Sequence, residues 1–369
     1  MRSDHIHSWE DARRLAQQRL PAMMFDYIDG AAGNGFAEQR GRDALQEITL
    51  HPRTFRNVET RSIAKSIFGQ NAQVPFGIAP MGMCNLSWPG ADLMLARLAA
   101  KHSIPHCVST AASTSLEDIV TKAEGNAWFQ LYVGGDFSIS EGLCDRAASS
   151  GYEVLMLTAD VPQVARRPRE LRHGFKMPFT IGPSQFLDFA MHSEWSVKSL
   201  IAGAPKPANF EGGKFDRGKG RGELDWDLLK RVRDRWKGKL VVKGILSVED
   251  ALEIKQHGAD AIQVSSHGGR QLNSSPPPIR QLEKIRQAVG PEYTLLFDSG
   301  IRNGDDVVKA YAKGADFVMM GRPWLYAIAA AGEKGLNTFC DVLAEETSTV
   351  LAQIGLDDIN KVDGTVILE

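Results

Sequence analysis

Cysteine is scarce in this chain, long apolar runs are missing and the net charge is close to zero, and each shortage closes off a class of function. The four cysteines, Cys84, Cys107, Cys144 and Cys340, are scattered without CxxC spacing. That argues against a zinc site or a disulfide framework and fits a reducing compartment. No window holds the roughly 18 apolar residues a spanning helix requires. The opening stretch MRSDHIHSWEDARR is charged and lacks the apolar core of a signal peptide. Lysine and arginine total 43 against 45 aspartates and glutamates, so the charge gives no reason to expect a nucleic-acid partner. No GxGxxG follows a candidate strand, which counts against a doubly wound dinucleotide fold. GAAGNG at 30–35 follows a helix-like segment and reads as a turn. The expectation is a soluble, cytoplasmic protein, with peripheral contact at the inner face of the membrane left open.

What is present is alternation. From about residue 74 onward, eight short β-branched runs recur: VPFGIAP, PHCVST, AWFQLYV, YEVLMLTAD, KLVVKGI, AIQVSS, YTLLFDSG and DFVMMGR. Helix-like segments lie between most of them, at 91–102, 115–123, 138–149, 248–257, 279–289 and 305–313. Strand–helix alternation implies a parallel sheet, and a count of eight favours an α/β fold of the closed (β/α)8 TIM-barrel type. One domain over 1–369 is expected. Residues 1–70 form an N-terminal, initially helical extension, 71–330 the barrel, and 331–369 a C-terminal helical segment. A long insertion at 170–222 follows strand four. Its first part, QFLDFAMHSEWSVKSLIAG, is apolar, and its second, APKPANFEGGKFDRGKGRG, reads as a mobile surface loop.

In such a barrel, chemistry collects where the strands end, because the loops there converge on one mouth. Strand one delivers Pro80, Met81 and Gly82; strand two delivers Ser109 and Ala111; strand three delivers Gln130 and Tyr132. Strand four delivers Thr158 and Asp160, with Arg167 beyond. Lys243 ends strand five, and Ser265, His267 and Arg270 end strand six. DSGIRNG, with Asp298, Gly300 and Arg302, follows strand seven, and Gly321 with Arg322 follows strand eight. Glycines and arginines at the last two ends suit a phosphate, although ordinary β–α turns use glycine too. Lys243 on an apolar strand needs an anionic neighbour or serves as a Schiff-base nucleophile. His267, set against two glycines and Arg270, is either a tight turn or a general base beside an anion clamp. A carboxylate such as Asp160 would fix its tautomer, and two arginines would match a substrate carboxylate. Arg166 and Arg169 read as solvated charges.

SSHGGRQLN closely resembles the signature of the FMN-dependent α-hydroxy acid dehydrogenases and oxidases, in which Ser-Asn-His-Gly-Gly-Arg-Gln-Leu-Asp is usual. LPAMMFDYIDGAA, IAPMG, FQLYV, LTADVP, VVKGI, DSGIRNG and GRP follow in family order over nearly the whole chain. SWPGAD, STA and LAQIG lean towards the L-mandelate and L-lactate dehydrogenase branch. The resemblance implies that His267 is the catalytic base and Asp160 its orienting partner. It implies that Arg167 and Arg270 bind the substrate carboxylate, with Tyr27 and Tyr132 on the substrate oxygens. Lys243 would stabilise negative charge at N1 and the C2 carbonyl of FMN and so gain its anionic neighbour. Pro80, Met81, Gly82, Ser109, Gln130, Thr158 and Ser265 would also contact FMN, with its phosphate between Asp298–Arg302 and Gly321–Arg322. Ser266 and Asn273 depart from the signature, and RRPRELRHGF departs from the usual acidic loop. Ala111 stands where some relatives carry a bulky side chain, leaving room for a larger substrate. Gly82 stands where oxidases tend to carry alanine, which leans the acceptor towards a quinone or carrier.

The implied activity is oxidation of a mandelate- or lactate-like L-2-hydroxy acid to the 2-keto acid, in a homotetramer. Three alternatives stand beside it: an oxidase that reduces oxygen to hydrogen peroxide, a non-redox enzyme with a Lys243 Schiff base, and a non-catalytic adaptor acting through the insertion. Within the insertion, Phe186, Phe189, Trp195, Leu200 and Ile201 form a candidate apolar face, followed by Lys206, Lys214, Arg217, Lys219 and Arg221. A membrane-surface segment over 183–216 is one reading. A substrate lid or oligomer contact is slightly favoured, because Asp188, Glu194, Glu211 and Asp216 dilute the charge.

Overall fold

A computed structural model describes residues 5–133, 137–176, 179–210, 222 and 224–368. The eight apolar runs form eight parallel strands: β1 (Phe76–Met81), β2 (His106–Ser109), β3 (Ala127–Leu131), β4 (Val154–Thr158), β5 (Lys239–Ile245), β6 (Ala261–Val264), β7 (Thr294–Phe297) and β8 (Phe317–Met320). They pair in chain order, and β8 pairs with β1, so the barrel closes. Closure leaves no strand edge open, and the strands are buried along almost their whole length.

Helices around the barrel are α4 (Ala91–His102), α5 (Leu116–Ala123), α6 (Phe137–Ser149), α10 (Trp226–Arg235), α11 (Val248–Gln256), α12 (Pro278–Val289) and α13 (Gly304–Ala312). Their starts are readable chemically. The side chains of Ser115, Asp225, Ser247 and Asn303 each accept a hydrogen bond from a backbone N–H in the first turn. Leu116, Ile119 and Ala123 in α5, and Ile279, Leu282 and Ile285 in α12, bury one face against the sheet.

The extension forms α1 (Trp9–Arg19), α2 (Ala22–Asp29) and α3 (Phe36–Gln46). The insertion forms α7 (Pro168–Arg172), α8 (Pro183–Met191) and α9 (Ser193–Ala202). The final helix, α14 (Arg322–Gln353), begins directly after β8 and kinks at Ala331 and Gly332. A hairpin of Lys65–Ile67 and Gln70–Ala72 lies at the amino-terminal end of the barrel, where Gln70 bonds to Ser103 and Asn126 ahead of β2 and β3. That leaves the carboxyl ends of the strands for α2, α3 and α7. No helix among the described residues is long and apolar enough to cross a membrane.

Candidate active site

Strand register brings the polar residues to one level. Ser109 pairs with Gln130, Thr158 with Lys243, and Lys243 with Gln263 across neighbouring strands. The β5–β6 register then shifts between Lys243 and Ile245. At that break Gly244 has φ +102°, and a Cβ there would lie 2.4 Å from the Asp160 carboxyl carbon. Only glycine leaves Asp160 its place.

The carboxyl ends open into a cavity of about 1080 Å³. Its wall includes Tyr27, Pro80, Met81, Gly82, Ser109, Ala111 and Tyr132. Arg167, Lys243, His267, Arg270 and Asp298 also line it, as do Gly300, Arg302, Gly321 and Arg322. Four expected site residues do not reach the wall: Gln130, Thr158, Asp160 and Ser265 stand behind it. Gln130 accepts from Ser109 Oγ at 3.0 Å and donates to Thr158 at 2.9 Å, while Ser265 accepts from Lys243 Nζ at 2.8 Å.

The sequence His267-Gly268-Gly269 makes one tight turn after β6. His267 itself has φ +57°, a left-handed conformation that costs a non-glycine residue roughly 1–3 kcal/mol and collects at functional sites. Surrounding bonds hold it there. Ser265 Oγ accepts the His267 N–H at 2.9 Å, and Ser299 Oγ accepts the N–H groups of Ser266 and Gly268 at 3.1 and 3.0 Å. A Cβ on Gly268 would stand 2.6 Å from Arg322 Nη1, and one on Gly269 would stand 2.5 Å from the Glu38 backbone nitrogen. The glycines therefore admit an arginine on one side and α3 on the other. Asn273 ends the motif by accepting the Phe36 N–H at 3.0 Å and donating to Asn34, so it fastens the start of α3 to the turn.

His267 Nδ1 lies 2.9 Å from Asp160 Oδ1, and Tyr132 Oη is 3.4 Å from the ring's Nε2. Burial, with the charges of Lys243 and Arg167, pulls the His267 imidazole below its ordinary value despite Asp160. Burial opposes the Asp160 charge, but His267 and Lys243 outweigh it and hold the carboxyl low. A neutral imidazole beside an ionised carboxylate is the resting state of a general base. Lys243 Nζ is 3.3 Å from Asp298 Oδ2. Burial works against its ammonium, but Asp298 and Asp160 prevail and raise the amine above its ordinary value. A charged amine is not a Schiff-base nucleophile. Asp298, expected beside the phosphate, lies on the cavity wall, where it is the counter-ion of Lys243 and also accepts from Gln263 at 2.5 Å. The reason is register, since β7 delivers it next to β6.

The two arginine pairs differ. Arg270 Nη1 donates to the carbonyls of Tyr27 and Gly30 at 3.0 and 2.7 Å, and Nη2 donates to Glu170 Oε1 at 2.7 Å. Arg167 Nη1 reaches the same Glu170 oxygen at 3.5 Å. Arg302 pairs with Glu38 at 3.1 Å, and Arg322 Nη2 donates to the Gly30 carbonyl at 2.8 Å. Among the described residues, the buried Nε atoms of Arg302 and Arg322 have no hydrogen-bond partner. Burial, with Arg270 and Arg302 nearby, lowers the Arg322 guanidinium below its ordinary value despite Tyr326 and Glu38. An anion carrying several acceptor oxygens fits that deficit, as a phosphate does.

Sequence reasoning missed Glu170 and Glu38, which read as members of ordinary charge runs. Arg169 is not a solvated charge: it bonds Asp26 at 2.6 Å and Asp29 at 2.7 Å, tying α7 to α2. The candidate apolar face of the insertion also needs correction. Trp195 is buried, donating to the Leu86 carbonyl, and Phe189 packs against it. Phe186, Leu200 and Ile201 are exposed, joined by Leu187, Met191 and Val197. Glu211, Lys214, Asp216, Arg217, Lys219 and Arg221 lie outside the described residues.

Comparisons with known proteins bear on the family and the fold. Residues 16–369 match the model of the FMN-dependent dehydrogenase family. The chain is 37% identical to (S)-mandelate dehydrogenase of Pseudomonas putida, over 97% of this chain and 92% of that protein. It is 32% identical to L-lactate dehydrogenase of Pseudomonas syringae pv. syringae (strain B728a), over 99% of each. Among solved structures, (S)-mandelate dehydrogenase, described as a monotopic membrane protein, superposes with a TM-score of 0.94 at 36% identity, covering 98% of this chain and 99% of that one.

Proposed function

The chain belongs to the FMN-dependent dehydrogenase family, and from that premise we propose that it oxidises a mandelate- or lactate-like L-2-hydroxy acid to the 2-keto acid and passes the electrons to a quinone or another carrier. Bound FMN supplies the two-electron acceptor. Arg302 and Arg322, with the backbone at Gly300 and Gly321, would hold its phosphate. Lys243, Pro80, Met81, Gly82 and Ser109 would hold the ring, with Asp298 beside Lys243 on the wall and Gln130, Thr158 and Ser265 bracing it from behind. The observation that carries the reading is His267 on the cavity wall with Arg270, held from behind by Asp160.

The residues divide the work. Arg270, with Arg167 beside it, would seat the substrate carboxylate, and Tyr27 and Tyr132 would bind its oxygens. His267 Nε2 takes a proton from the substrate, and Asp160 stabilises the imidazolium that results. Ala111, whose side chain is one methyl group, leaves the substrate's own side chain room at the cavity wall. Anaerobic addition of a panel of L- and D-2-hydroxy acids tests this. The L-acids should bleach the flavin and the D-acids should not; a flavin that no 2-hydroxy acid bleaches would reject the reading. Reoxidation then separates acceptors: a quinone restores colour faster than air in a dehydrogenase, and air alone suffices in an oxidase.

Peripheral docking at the inner face of a membrane through 183–216 belongs to the same proposal. Asp188 and Glu194, expected to dilute the charge of the basic segment, have partners of their own within the chain. Asp188 accepts the Ala22 N–H at 2.7 Å, and Glu194 pairs with Arg19 and Lys198. Liposome flotation with and without 183–216 reads it, and equal flotation would reject it. The homotetramer rests on the family resemblance and is read by sedimentation.

A further inference from the structure

One acceptor is common to both arginines of the clamp, and it is a protein carboxylate. Glu170, the one acidic residue of RRPRELRHGF, is 5% exposed, and its Oε1 serves both Arg270 and Arg167. It does not swing freely. It sits on α7, whose Arg169 is bonded to Asp26 and Asp29 of α2. A Cβ on Gly30 would stand 3.6 Å from the Glu170 Cγ, so the side chain lies closely against the chain that follows α2.

Two counts follow. A guanidinium has five N–H donors, and three protein acceptors take up three of those on Arg270. The two left are what one carboxylate uses in a bidentate pair. In charge, two arginines and one glutamate leave the clamp at plus one. Of the other ionised groups around the cavity among the described residues, Lys243 is matched by Asp298, Asp160 stays ionised beside a neutral His267, and Arg302 and Arg322 are assigned to the phosphate, so none of them offers a second carboxylate a spare cation. Arg166 and Lys206 at the mouth are exposed, where solvent and salt screen them.

We propose that Glu170 sets the charge class of the substrate: held between Arg167 and Arg270, it restricts this site to monocarboxylic 2-hydroxy acids and excludes dicarboxylic ones. A monoanion neutralises the clamp. A dianion brings one negative charge more than the clamp takes up into the cavity, with the Glu170 carboxylate on its wall and the Asp160 carboxylate behind it, and like charges repel. Glu170 is a positioning and specificity residue and takes no part in the proton transfer. The inference rests on the cavity being a 2-hydroxy acid site.

The test compares L-2-hydroxybutyrate with L-malate, which are similar in size and differ by one carboxylate, using kcat/KM for anaerobic flavin reduction. The wild type should favour the monoacid by at least about tenfold, or about 1.4 kcal/mol. E170Q and E170A should both move that ratio about tenfold towards malate. E170D should keep the wild-type ratio while weakening both acids. A wild type that uses both acids equally would overturn the proposal, as would neutral variants in which both rates change in parallel, the outcome of a purely structural role. If the neutral variants fail to fold, the wild-type ratio still decides. Failure of the underlying reading looks different, since then no 2-hydroxy acid bleaches the wild-type flavin at all.

Discussion

Two pairs of arginines border one cavity, each with one glutamate, and the protein shares that glutamate in one pair but not in the other. At the clamp, Arg167 and Arg270 share a buried carboxylate oxygen of Glu170. At the other end, Arg302 reaches Glu38 and Arg322 reaches only a backbone carbonyl, and both Nε atoms stay without a partner among the described residues. Arg322 has no carboxylate partner among the described residues, and an uncompensated buried cation costs several kcal/mol, so the second pair suits a ligand that stays. In the first pair one carboxylate oxygen serves both guanidiniums, which suits a small anion that arrives and leaves. One atom joins the two ends, since the Gly30 carbonyl accepts from Arg270 and from Arg322.

Breaking the centre between the pairs should have the largest effect. H267Q is expected to lower kcat by up to about 10⁴-fold while the protein remains yellow. Substantial turnover would show that another group takes the proton. Next comes the clamp: R270M should reduce kcat/KM by about 10²–10³-fold, from the loss of charged hydrogen bonds of roughly 1.5–3 kcal/mol each. Its flavin content should match the wild type. R322M should show the converse, with FMN held about 10–100-fold more weakly, as follows from losing one to two charge-assisted hydrogen bonds. Flavin fluorescence released on dilution measures this, and the loaded fraction should keep its KM for substrate. If R270M shed flavin or R322M raised KM, the division of labour would fail.

The smallest effect is a shift along the pH axis. His267 must be neutral to accept a proton, and its surroundings hold it below the ordinary histidine value of 6.5. kcat/KM should therefore fall on the acid side, with a midpoint below 6.5. A midpoint above it would mean that Asp160 governs the imidazole more strongly than burial does. Replacing Asp160 with asparagine should move that midpoint further down, because the imidazolium loses its counter-charge.

The barrel was legible because its signals are local. Each strand is a short apolar run bounded by turn residues, and Ser115, Ser247 and Asn303 announce helix starts within three residues. The position of His267 was legible for the same reason, since SSHGGR is contiguous and its glycines are needed where Arg322 and α3 approach. The functions of Glu170, Glu38 and Arg169 were not. Their partners lie far along the chain, Glu170 against Arg270 and Glu38 against Arg302. A charge in a polar run looks the same whether it meets water or a distant arginine. Asp298 was placed at the phosphate because DSGIRNG is contiguous, whereas its partner Lys243 arrives through strand register, 55 residues earlier. Trp195 and Phe189 shared an apolar stretch with Leu200 and Ile201, and only the packing of α8 and α9 separates the buried Trp195 and half-buried Phe189 from the exposed side chains.

The most direct measurement is a crystal structure of the flavin-loaded protein with a 2-keto acid bound. Phosphate oxygens should lie within hydrogen-bonding distance of Arg302 Nε and Arg322 Nε. The product carboxylate should rest on the remaining donors of Arg270, with Glu170 still in place. A carboxylate seated on Arg302 and Arg322, or a Glu170 displaced from Arg270 by the ligand, would contradict the account.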